Sequence, residues 1–201
     1  MSGQCYGLKR AHQLSRIGVW VAGALTLASV ALISFDVIMR KLFNWSLGGA
    51  DELSGYAFAI STSWAFAFVV LERANVRVDI LYQYFSVRVA AFIDWLSLVA
   101  LATFLGVMTR YAYEVLATSW LQNATANSSL ATPLWIPQGL WLVGLLWMSA
   151  VLILMLLRSS IAFVKGDLET VRDIAGIKFA ADEAREEALI GKRRVEEHRQ
   201  P

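Results

Sequence analysis

Cysteine is almost missing from this chain, with one residue, Cys5, in 201 positions. That excludes an intramolecular disulfide and a thiol redox pair, and it leaves no cysteine record of the compartment. Histidine is nearly as scarce: His12 and His198 lie near opposite ends. Haem or zinc in a helical bundle needs inward imidazoles or thiolates, so metal and haem chemistry have no ligand set here. No phosphate-cradling glycine loop, nucleophile with a base, or buried pair of carboxylates can be drawn either, so the chain reads as a non-enzyme without a cofactor. Charge is sparse too, at 17% of residues against 57% hydrophobic, with a net charge of +2. The basic residues are interleaved with acids wherever they are dense, which speaks against a nucleic-acid partner.

The scarce charges gather in the tails and in short clusters. Between them lie uncharged runs long enough for a hydrocarbon core of about 30 Å, which takes roughly 20 helical residues. The first span is 17–35, between Arg16 and Asp36; it outruns a signal-peptide core, and no small-residue cleavage pattern follows. The second is 53–71, between Glu52 and Glu72, with Gly48 and Gly49 breaking the chain just ahead. The third, 89–113, carries Asp94 near one end and Arg110 near the other, which a tilted helix would hold near the two interfaces. From Glu114 to Arg158 no charge occurs, but Pro133 and Pro137 punctuate the run. Proline suits a first helical turn, so the fourth span reads 138–157, entered past the interfacial aromatics Trp135 and Trp141.

The fold class is therefore all-α, a four-helix membrane domain over 17–157 between tails at 1–16 and 158–201. Lysine and arginine near the membrane number ten on the side of the two tails and the 72–88 loop, against three opposite. The positive-inside rule then puts both termini in the cytoplasm. In the 78–88 segment Ile80, Leu81, Tyr84 and Phe85 recur at helical spacing among Asp79, Gln83 and Arg88, as in a short amphipathic helix on the inner surface. The 36–47 segment carries a weaker signal of the same kind on the outer side. The tail after Arg158 mixes acids and bases at helical neighbour spacing, as a solvated helix does. Asn-x-Ser/Thr triplets begin at Asn44, Asn123 and Asn127, all on the outer side; without outer-loop cysteines they read as chance rather than glycosylation sites.

Few residues stand out chemically, and each has two readings. Asp36 and Arg40 are four apart, so they form a local ion pair or a docking point for another subunit. Asp51 and Glu52 either cap the second span or make contacts. Trp64 sits mid-span between two ladders of small residues: Gly55, Ala59, Ser63 and Ala67, and Ala57, Ser61 and Ala65. Both ladders allow close helix contact, and neither selects a partner. Asp94 lies only about 9 Å along the helix from Arg88, so it anchors at the interface or is a buried functional charge.

Taken in order, Asp36-x3-Arg40, Gly49-Ala50-Asp51-Glu52-Leu53, Trp64, and Arg77-Val78-Asp79-Ile80-Leu81 resemble the small, DctQ-like membrane subunit of tripartite ATP-independent periplasmic (TRAP) transporters. The Pro137 entry to the fourth span fits as well, so the likeness covers roughly 15–160; it departs at Asn75, where many relatives carry histidine. The resemblance implies a multi-pass protein of the bacterial inner membrane, paired as a heterodimer with a large subunit that carries the substrate and sodium sites. A periplasmic binding protein would deliver an organic acid, and the small subunit would belong to the stationary frame. Carried over, Asp36, Arg40, Asp51, Glu52 and Trp64 would hold the large subunit or shape the docking surface, while Arg77, Asp79 and Arg88 would anchor the inner surface. Two other readings stand beside it. One is a self-contained dimeric exporter using Asp94, and the other is a four-span assembly scaffold unrelated to transport.

Overall fold

The computed structural model describes residues 2–72 and 85–166. Arg77, Asp79, most of the expected inner surface helix and the tail beyond Gly166 lie outside them. Four helices make up the described chain: α1, Ser2–Phe43; α2, Ala50–Leu71; α3, Val87–Leu121; and α4, Trp135–Val164. All four are long and apolar enough to cross a membrane, and the described residues form no strand beyond one isolated bridge. In hydrocarbon each backbone N–H and C=O must be paired within its own segment, which a helix achieves.

Each helix extends past the uncharged run that announces it. Charges mark where hydrocarbon ends, whereas a helix goes on until its hydrogen bonding is broken. α1 runs unbroken through Asp36 and Arg40 to Phe43, so 36–43 forms its last two turns rather than a separate surface helix. Asn44 stops it with φ 51°, and Asn123 with φ 48° follows α3 in the same way. Asparagine tolerates this left-handed conformation, which accounts for two of the three triplet asparagines. Gly48, with φ 68°, completes the turn into α2.

The helices do not close into a bundle. α1 packs on α2, α2 on α4, and α4 on α3, giving a row in the order α1, α2, α4, α3. α4 therefore carries most of the core: Leu145, Val151, Leu152 and Met155 are buried. α3 lays Leu98, Leu105, Ala112 and Ser119, seven residues apart, against it and leaves its other side open. Close contact between α2 and α4 depends on Gly144, where a Cβ would collide with Ser63 Oγ and Cβ and with Trp64 Cδ1. Of the two small-residue ladders, that of Ser63 and Ala67 thus faces α4. A small hairpin closes the 122–134 loop through Ala126 N–H to Thr132 O at 2.9 Å and Leu134 N–H to Ala124 O at 3.0 Å.

Candidate functional site

At the end of the row where α1 meets α2 and α3 meets α4, the two loops interlock. Asp36, one turn before Arg40, is 2% exposed. Its Oδ1 accepts the Leu47 backbone N–H at 2.8 Å and the Ser46 hydroxyl at 3.0 Å, while Oδ2 accepts from Arg40. An ionised carboxylate only accepts hydrogen bonds, so three donors suit it well. The Asp36 side chain is consumed by its own chain, pinning the α1–α2 turn to α1. Arg40 stays 58% exposed, with its guanidinium directed outward beyond the pair.

Gly48 and Gly49 carry the turn across to the other loop. The Ser129 hydroxyl donates to the Gly48 carbonyl, and a Cβ on Gly49 would strike the Leu130 side chain. Three residues on, Glu52 accepts from Ser128 through Oε2 and from the Tyr56 hydroxyl through Oε1 at 2.8 Å. No side chain caps α2; Gly49 holds that position, and its carbonyl accepts Leu53 N–H. Glu52 is accordingly a contact between loops rather than a cap. Asp51, on the same turn, faces solvent. Nothing in the sequence marked Ser128 or Ser129 as participants, because their partners lie 76 and 81 residues away.

The remaining candidates lie elsewhere. Trp64 is twelve residues along α2 from Glu52, about 18 Å at helical rise, and its indole N–H donates to Leu140 O on α4 at 3.0 Å. Across from it, α1 comes close enough at Gly18 for a Cβ to meet Trp64 O at 3.2 Å. Trp64 thus sits where α1, α2 and α4 meet, flanked by a cleft of about 230 Å³ lined by Leu14, Ile17, Val143 and Trp147. Trp147 completes the contact by donating to the fully buried Ser15 at 3.1 Å.

Toward the opposite end, His12 Nε2 meets Glu72 Oε1 at 2.5 Å and its ring packs edge-on against Phe68, clasping α1 to α2. Arg88 is exposed at the start of α3. Asp94 is fully buried. Its depth is set by Trp95, which bonds Ser160 at 2.9 Å and stacks on Phe163, close to the last residue of α4. Asp94 is therefore a charge at the end of the row and not at its middle. Among the described residues no three His, Cys, Asp or Glu side chains gather at one point. Arg40, Lys41 and Asp51 are exposed at the end of the row where the two loops meet.

The family model of the DctQ component of tripartite ATP-independent periplasmic transporters matches residues 29–161. The matched stretch holds the whole junction of the two loops, from Asp36 to Leu130, together with α2, α3 and most of α4. No curated protein and no solved structure matches the chain.

Proposed function

Because the chain belongs to the family of DctQ components of TRAP transporters, and so is a small membrane subunit of such a transporter, we propose that it forms part of the stationary frame of a sodium-driven, binding-protein-dependent uptake system for organic acids. Its partners in this reading are a large membrane subunit, which carries the moving substrate and sodium sites, and a periplasmic binding protein. It resides in the bacterial inner membrane with both termini in the cytoplasm. The excess of lysine and arginine in the tails and the 72–88 loop supports that orientation.

The observation that carries the reading is the outer junction. Asp36 pins the α1–α2 turn to α1, Ser128 and Ser129 tie that turn and Glu52 to the α3–α4 loop, and the family match runs through all of them. A frame must keep its shape while a neighbouring subunit moves, and cross-linked loops serve that end. Arg40 and Asp51 remain free to meet a partner at this rigid surface, whereas Asp36 and Glu52 act through the loops they hold.

The test is reconstitution. The chain, tagged and co-expressed with the large subunit, is purified and placed in vesicles, and uptake of a radiolabelled organic acid is followed with the binding protein and an inward sodium gradient. Uptake that needs both membrane subunits and collapses without the gradient is expected. Full uptake by the large subunit alone would sink the reading.

A further inference from the structure

The cleft beside Trp64 runs between α1 and α4. Leu14 and Ile17 line it from α1, Val143 and Trp147 from α4, and Trp64 from α2. Both indole N–H groups are spent inside the fold, Trp64 on Leu140 O and Trp147 on Ser15 Oγ. What the walls offer is aliphatic and ring surface, which holds an apolar ligand and orients no polar one. At about 230 Å³ the cleft is smaller than one turn of helix, a cylinder roughly 10 Å across and 5.4 Å long that fills about 400 Å³, so a partner helix cannot lie in it.

One end of the cleft is basic. On α4, Val143, Trp147, Leu154 and Arg158 follow at steps of four, seven and four residues, one stripe of the helix. On α1, Arg10, Leu14 and Ile17 follow at steps of four and three. α1 and α4 run in opposite directions, and the bond from Trp147 to Ser15 sets their register. Position 10, five residues before Ser15, then lies opposite position 152, and Arg158 is six residues, about 9 Å, beyond it. No acid balances this charge from either helix, since α1 carries none before Asp36 and α4 carries none. Glu72, which α2 brings to the same end, is engaged by His12, and among the described residues no acid pairs with Arg158.

We propose that the cleft seats one acyl chain of an anionic glycerophospholipid whose phosphate is held at Arg158, with Arg10 adding positive charge beside it. From Arg158 to Trp147 is eleven residues, about 16 Å, close to the roughly 15 Å of one leaflet's chains, half of a hydrocarbon core of about 30 Å. A guanidinium meets phosphate through two parallel N–H bonds, and basic pockets between membrane helices on the cytoplasmic side bind anionic headgroups. The proposed orientation puts this end of the cleft in the cytoplasmic leaflet, and the inference rests on that reading only there. A lipid so placed bridges α1 and α4 across the back of α2.

Native mass spectrometry of the purified full chain, titrated with dioleoyl phosphatidylglycerol or dioleoyl phosphatidylcholine, tests it. One phosphatidylglycerol per chain is expected, bound several-fold more tightly than phosphatidylcholine. Arg158→Gln should weaken phosphatidylglycerol at least about fivefold, as the loss of one cation near the headgroups predicts. Arg158→Lys should keep most of the affinity, and Arg88→Gln, at the exposed start of α3, all of it. Ile17→Trp, which fills the cleft, should weaken both lipids, and glycerol phosphate, a headgroup without tails, should not compete. Each variant should keep the Tm of the parent chain in detergent. Equal affinity for the two lipids, equal losses in Arg88→Gln and Arg158→Gln, undiminished binding to Ile17→Trp, or competition by glycerol phosphate would each overturn the inference. So would loss of the lipid from the chain co-purified with the large subunit, which would assign the cleft to that partner. The titration uses this chain alone, so failure of the proposed assembly leaves its result standing, and a chain without lipid preference leaves the assembly standing.

Discussion

Ser128, on the loop between α3 and α4, donates its hydroxyl to the Glu52 carboxylate in the first turn of α2. The bond joins the α1–α2 and α3–α4 loops across 76 residues of sequence, and Ser129 repeats the stitch on Gly48 O. If the two residues act as one unit, removing either removes the same interaction. Ser128→Ala and Glu52→Ala should each lower the Tm of the purified chain by a few degrees, and the double variant should fall little below the weaker single. Additive losses would show that Glu52 and Ser128 act independently.

Asp36 and Arg40 form one ion pair, but they should separate in experiment. Asp36 is buried under three donors, so Asp36→Asn places an amide N–H₂ against either Arg40 or the Leu47–Ser46 pair and leaves donors without an acceptor. The expected result is faster proteolysis in the 44–49 turn and a lower Tm. Arg40→Ala leaves Leu47 and Ser46 bound to Asp36, and it should barely change Tm while reducing co-purification of the large subunit. A destabilised Arg40→Ala protein would assign Arg40 to the fold rather than to the partner surface.

How much of this could be read beforehand depended on the range of each interaction. The four helices were legible because hydrocarbon tolerates so few charges that the uncharged runs stand out, although the helices themselves pass the charges at Arg16 and Arg158. The pairing of Asp36 with Arg40 was legible because helical spacing is local. The row was not: α2 offers small residues on two faces, and only Gly144, invisible as a partner until α4 is placed, shows that Ser63 is the side facing α4. The outer lock was equally hidden, since Ser128 and Ser129 look like ordinary loop serines.

Gly144 makes a sharp claim about packing. A methyl group there would meet Ser63 and Trp64 too closely, so Gly144→Ala should cost about 1–3 kcal/mol through overpacking. Gly55→Ala is the control: on α2, nothing lies within 4 Å of its added Cβ, and it should be neutral or slightly stabilising. Resistance to unfolding by sodium dodecyl sulfate reads both. Equal behaviour of the two variants would mean that α2 and α4 do not approach as closely as 63 and 144 require.

Trp147 and Ser15 offer a cleaner measure of one buried polar contact between helices. The indole N–H donates to a hydroxyl that is itself fully buried, and α1 is held to α4 through this bond. Trp147→Phe keeps most of the aromatic bulk but strands the serine hydroxyl, and Ser15→Ala strands the indole N–H. Each single change should cost about 1 kcal/mol, near the upper part of the range seen for hydrogen bonds between membrane helices. With both partners gone neither group is orphaned, so the double variant should cost less than the two singles combined. A coupling indistinguishable from zero in that cycle would mean that the bond adds nothing beyond the packing of the ring, and that α1 is held to the row by its contact with α2 alone.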